Sequence, residues 1–297
     1  MLPLILGVGS AFFFAVQIAL TGAAVRGQHA RIEIILWVQT TFVLLTALVW
    51  VAVEGSAAMS IQGAAVLLAA GIVAPLIART LFVKSIARLG SNIATPIVLS
   101  SPIVTVLLAS TLLSEHLGGV GWTGVVVTLL GGLLVAARPK IISQATPKPL
   151  VSPVLLALPV VSAIASGTSL FLRKVGLNMG VSPAFAALIT SIPAWLVYSG
   201  WLVVRSPNAL GALQNLSSPA LLGSGVAGSI GIVLWYMGIN VAPLSQIAPL
   251  GALVPIFALS LNFLFYRSGE TFSMGVVCGT LLSVIGVGLI AYNSVSQ

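Results

Sequence analysis

Few side chains in this sequence are able to move protons, attack a substrate or hold a metal. There are two histidines, His29 and His116, one cysteine, Cys278, and four acids, Glu33, Glu54, Glu115 and Glu270; aspartate does not occur. General acid–base work needs titratable groups at depth, yet all four glutamates fall at the ends of apolar runs. One cysteine excludes an intrachain disulfide and a cysteine-based metal cluster. The glycine-rich stretch Gly223–Gly231 lacks the preceding strand and following lysine of a phosphate loop, and no other ATP-binding motif occurs. No metal and no resident cofactor is expected, and an enzyme is the weakest function class.

What chemistry remains lies in polar and aromatic residues set inside apolar runs. Gln17 stands in FFFAVQIAL, and an amide left unpaired in hydrocarbon is costly, so it must face protein or water. Interhelical bonding and ligand contact both stay open for it, for Ser169, and for Gln246 with its counterpart Asn92; Asn262 is a further such amide. Arg79 follows Pro75 by one turn, where an arginine costs at least about 2.5 kcal/mol. Either it snorkels to the nearby helix end, or its planar fork binds a substrate carboxylate or phosphate. Trp37, Trp195, Trp235 and Tyr236 are interior aromatics that pack a core or line an apolar pocket.

The elements that position these residues follow from composition. Of 297 residues 59% are hydrophobic and 5% charged, against about 25% charged in soluble domains, so a soluble globular protein is excluded. The net charge of +8 comes from cations scattered singly, which suits anionic lipid headgroups rather than nucleic acid. About 20 apolar residues cross a bilayer as a helix. Ten such runs occur: 3–25, 32–53, 63–83 with an extension to Arg88 as the alternative, 91–113, 119–137, 153–172, 183–204, 221–241, 244–266 and 272–292. The first has no basic leader and is read as a retained span. An all-α integral membrane protein is expected. Loops after odd-numbered spans carry nine cations, and the opposite side only Arg173 and Lys174, which puts both termini outside the cytoplasm.

The chain repeats itself. SNIATPIVLSSP from Ser91 matches SQIAPLGALVP from Ser245, with Pro96 and Pro102 answering Pro249 and Pro255 at an offset of 153. Glu115/Glu270, Gly124/Gly279 and Gly131/Gly286 share an offset of 155. Residues 1–138 and 153–297 therefore form two five-helix repeats around a proline-bearing linker, 139–152. Five spans is an odd number, so the second copy enters inverted, an arrangement that favours alternating access around a midplane site. The paired prolines free backbone polar groups, tolerable only beside protein or a water-lined cavity, which places the fourth and ninth spans beside the pathway as gating breaks. Gly124 and Gly131, like Gly279 and Gly286, lie two turns apart on one face. With the Gly275/Gly279 pair they read as close-packing struts within a monomer, the sharper alternative being a homodimer face.

These features resemble the EamA type of the drug/metabolite transporter superfamily. A proline-bearing fourth helix in each half leads through Ser114-Glu115-His116 and Gly269-Glu270-Thr271 into a Gly-rich fifth helix, with Phe82 and Tyr236 as aromatics closing the third helices. The resemblance covers nearly the whole chain. It implies a multi-pass inner-membrane or plasma-membrane carrier of small metabolites, often amino acids or amphiphiles, with export the favoured direction. Arg79 and Lys84, where the second half has Val233 and Gly238, depart from that symmetry. The absence of a mid-depth acid disfavours carboxylate-based proton or cation exchange, and Glu115 and Glu270 are read as caps of the helices that follow them. A channel is the alternative, though neither a carbonyl filter nor a ring of charges is evident.

Overall fold

The computed structural model describes residues 1–26, 32–55, 59–89, 94, 97–115, 118–136, 153–205, 218–266 and 274–295. Among them every regular element is helical. The first half contains α1 (Leu2–Arg26), α2 (Ile32–Glu54), α3 (Ile61–Gly71), α4 (Arg79–Leu89), α5 (Ser101–Leu112) and α6 (Gly119–Ala136). The second contains α7 (Pro153–Asn178), α8 (Pro183–Arg205), α9 (Pro219–Val241), the single turn α10 (Leu244–Ile247), α11 (Val254–Tyr266) and α12 (Met274–Val295). Among the described residues six helices are long and apolar enough to cross a membrane: α1, α2, the continuous α3–α4 rod, α7, α8 and α9. Shorter apolar helices include α5 and parts of α6 and α12.

Two local sequence features shape this bundle. Pro75 lacks an N–H and its ring crowds the preceding turn, and the chain answers by widening into a π-helical segment, Ile72–Ala78, between α3 and α4. The rod therefore runs on to Leu89, past Arg88, without a break in direction of chain. In the second half α9 stops at Val241; Ala242 is extended (φ −141°, ψ 162°), Pro243 follows, and α10 passes through a 3-10 segment, Ala248–Leu253, into α11.

Small residues set the helix contacts. A Cβ on Gly124, Gly131 or Gly286 would collide with the facing helix of the α6–α12 pair, at Gly286 and Ile290, at Gly279 and Ser283, and at Thr128 and Gly124 respectively. The glycine seam is thus spent inside one chain, although Gly275 of the GxxxG pair is exposed. Glycines of the 223–231 stretch play the same part on α9: a Cβ on Gly228 would strike Gln17 and one on Gly231 would strike Phe14, both on α1.

Packing is reciprocal between the halves. α1 lies along α9, while α7 lies along α3 and α4. Ser10 on α1 donates to the carbonyl of Gly231 on α9 (2.9 Å), and Ser162 on α7 donates to the carbonyl of Ala78 in the π segment (2.8 Å). Ser10 and Ser162 are 152 residues apart and Ala78 and Gly231 are 153 apart, the spacing of the repeat.

Candidate functional site

A cavity of about 290 Å³ opens among α1, α2, the π segment with α4, α7, α8 and α9. Its volume lies at the lower end of the usual range for small-molecule sites, about 300–1,000 Å³. Phe14, Phe82 and Ile232 are among its apolar walls; Gln17, Gln39, Arg79, Ser162, Ser166, Arg173 and Ser191 bring polar atoms to it. Among the described residues no acid contributes to the lining.

Arg79 enters from the end of the π segment. Placing Ala74, Pro75, Ala78, Arg79 and Phe82 all on the cavity wall is what the widened turn accomplishes, and such segments recur at functional sites. The arginine does not snorkel to the helix end. Its side chain is exposed and lines the cavity, and its Nη2 donates to Oε1 of Gln39 at 2.8 Å. Gln39 is itself nearly closed off and donates from Nε2 to Thr21 Oγ1 (2.8 Å) and Ser224 Oγ (3.3 Å). One amide thus joins α1, α2, α4 and α9 around the guanidinium. Lys84 and Arg88 are exposed farther along the same rod.

Arg173 is the second guanidinium. Sequence counting put it and Lys174 in a loop, and the structure corrects that placement: both lie inside α7 and are 7% and 8% exposed. Arg173 stacks over the ring of Tyr236, 5.5 Å from Cζ to centroid, and its Nε has no hydrogen-bond partner. The Tyr236 hydroxyl shares a 2.7 Å hydrogen bond with Thr190 Oγ1. Tyr236 is fully buried, so it positions Arg173 from behind rather than lining the cavity.

Gln17 lines the cavity; the other singled-out residues distribute differently. Ser169 is buried and donates to the carbonyl of Ala70 (2.8 Å), tying α7 to α3. Trp37 donates to Ser199 Oγ (2.9 Å) and Trp195 to Thr41 Oγ1 (3.1 Å), a crossed pair that clasps α2 to α8 away from the cavity lining. Trp235 is buried in the central apolar cluster, and Gln246 sits half-buried in α10, outside the lining.

Among the paired prolines, Pro96 lies outside the described residues, as do Asn92, the side chain of Asn262, Glu270 and the 139–152 linker. Pro102 occupies the first turn of α5, Pro249 the 3-10 segment and Pro255 the start of α11, and none of the three lines the cavity. The 3-10 segment packs on α1 and α6 instead. The helix distortion that does border the cavity is the one at Pro75.

Sequence reasoning passed over Gln39, Arg173, Ser162, Ser166 and Ser191. A signal existed for three of them: Ser162, Ser166, Ser169 and Arg173 recur at four, three and four residues, one stripe along a helix.

Away from the cavity, the break between α9 and α10 is held by opposite charges. Ser114 takes a left-handed φ of 53° just past α5, and Glu115 then accepts the N–H groups of Leu244 and Ser245 through its two carboxylate oxygens, each at 2.8 Å. Lys174 Nζ donates to the carbonyls of Ile239 (2.6 Å) and Ala242 (3.0 Å), within electrostatic reach of Glu115. Glu115 therefore caps a helix of the other half, not the one that follows it.

Comparison with known proteins agrees with this architecture. The model of the EamA-like transporter family matches residues 1–137 and again 152–292: a multi-pass membrane transporter in two matched halves, this chain belongs to the EamA-like transporter family. One solved crystal structure superimposes with a TM-score of 0.71 over 98% of this chain and 96% of its own, at 15% identity, which establishes a shared fold. No curated protein matches the sequence.

Proposed function

We propose that the chain is a secondary transporter that moves a small metabolite, in the class of amino acids or amphiphilic compounds, across an inner or plasma membrane by alternating access, in the export direction. The observation that carries this reading is the cavity itself: a mostly apolar hollow bearing a few polar side chains and walled by helices of both halves. Two inverted five-span halves would exchange conformations by rocking about that hollow. With no nucleotide-binding motif, the driving force is a gradient of the substrate or of an ion. The proline-bearing segments around Pro102, Pro249 and Pro255 then act as flexible joints behind the wall rather than as contacts to substrate.

Counterflow in proteoliposomes tests this. A carrier gives saturable uptake of label stimulated by unlabelled substrate on the far side. Conductance without trans-stimulation would make the protein a channel and end the alternating-access reading.

A further inference from the structure

We propose that the cavity takes an organic anion: a compact molecule with an apolar body and a carboxylate or phosphate group, carrying up to two negative charges. This deepens, and rests on, the reading of the cavity as the carrier's substrate site.

Arg79 and Arg173 bring two permanent positive charges to one cavity with no acid among the described residues that line it. Among the described residues neither has a carboxylate partner. A guanidinium offers five N–H donors, and Arg79 spends one on Gln39. Among the described residues Arg173 stacks on the face of Tyr236 and leaves a buried Nε unpartnered. A buried cation without a counter-charge, as Arg173 is at 7% exposure, is strongly unfavourable, and a bound anion removes that cost. The guanidinium fork fits the paired oxygens of a carboxylate or phosphate. The hydroxyls of Ser162 and Ser166 extend the polar side, while Phe14, Phe82 and Ile232 face whatever is apolar in the ligand. A cationic ligand would meet two like charges, and a neutral one would leave both uncompensated. The volume of about 290 Å³ keeps the ligand small.

The test uses the purified full chain in a neutral detergent and reads thermal stabilisation by four probes: 3-phenylpropionate, phenyl phosphate, succinate and 3-phenylpropionamide. The anions should stabilise in a dose-dependent way and the amide should not; the tighter of the carboxylate and phosphate probes identifies the headgroup. Arg79→Gln and Arg173→Gln should each weaken anion binding by about tenfold or more, the loss of a charge-assisted hydrogen bond, whereas Arg79→Lys keeps the preference for anions. No stabilisation by any anion, equal stabilisation by the amide, or unchanged anion binding in folded Gln variants overturns the proposal; the wild-type comparison decides it even if a variant does not fold. Counterflow of labelled probe separates the two readings. Anion binding without counterflow leaves the anion site standing and removes the carrier, while counterflow that favours the amide does the reverse.

Discussion

Removing the carboxylate of Glu115 should loosen the joint between α9 and α10 more than any other acid substitution in the described chain. Its two oxygens accept the N–H groups of Leu244 and Ser245, each at 2.8 Å, at the start of a helix that has no side-chain cap of its own. Hydrogen bonds to a charged group contribute about 1.5–3 kcal/mol each, and loss of a helix cap about 0.5–2 kcal/mol. Glu115 is half-buried, which discounts the sum, so Glu115→Ala should cost about 2–3 kcal/mol. Glu115→Gln keeps one acceptor and should cost about 1 kcal/mol. At roughly 2–4 °C per kcal/mol, the Ala variant should melt about 5–10 °C lower in a detergent unfolding scan. Glu54 is the control, since it is exposed and accepts one 3.2 Å bond from Ser182; Glu54→Ala should fall within about 0.5 kcal/mol of wild type. Should Glu115→Ala melt no lower than Glu54→Ala, the inter-half cap does not hold the joint.

Other substitutions separate packing from site. Gly286→Val should unfold or strongly destabilise the chain, by more than about 3 kcal/mol, because the added carbons meet the backbone of α6, whereas Gly288→Val, with open space around it, should leave melting unchanged. Trp195→Phe removes the bond to Thr41 together with part of the ring, and should cost at least about 0.6 kcal/mol with no change in the substrate concentration for half-maximal transport. Gln39→Leu leaves Arg79 without its acceptor and should both destabilise by about 1–3 kcal/mol and weaken substrate binding, measured by thermal shift and uptake on the same preparation. Ser114→Gly, at φ 53°, should raise stability by up to about 1 kcal/mol, because glycine adopts that conformation without a Cβ clash.

Much of the frame is legible in the sequence because composition and repetition are long-range signals. Apolar runs locate the six long spanning helices, the 155-residue offset finds the glycine seam of α6 and α12, and the mid-span amide Gln17 does face the cavity. What is not legible depends on which way a residue points. Trp37 and Trp195 have the composition of a pocket wall and the geometry of a clasp. Arg173 and Lys174 sit near a helix end, so charge counting assigns them to a loop, although α7 extends six residues past its apolar run and draws both into the bundle. Glu115 precedes α6 in sequence, and only the left-handed turn at Ser114 aims it at α10.

Where the repeats agree, they build scaffold; where they differ, they place charge. Ser10 and Ser162 make the same hydrogen bond in the two halves, and at that register Arg173 stands opposite Thr21, while Arg79 stands opposite the apolar pair Ile232 and Val233. Both cavity cations thus occur at positions that the other copy fills with neutral residues. If rocking exchanges the conformations of the halves, the symmetric contacts exchange with them, but the two guanidiniums remain fixed to their own helices. Arg79 belongs to the first half and Arg173 to the second, so each half carries one cation to the shared wall, and the proposed anion would be held from both halves. Replacing Thr21 by Arg would break this division by putting a cation where Gln39 now finds its hydroxyl partner, and should abolish transport by displacing Gln39 from Arg79, an outcome read as lost counterflow with a folded elution profile.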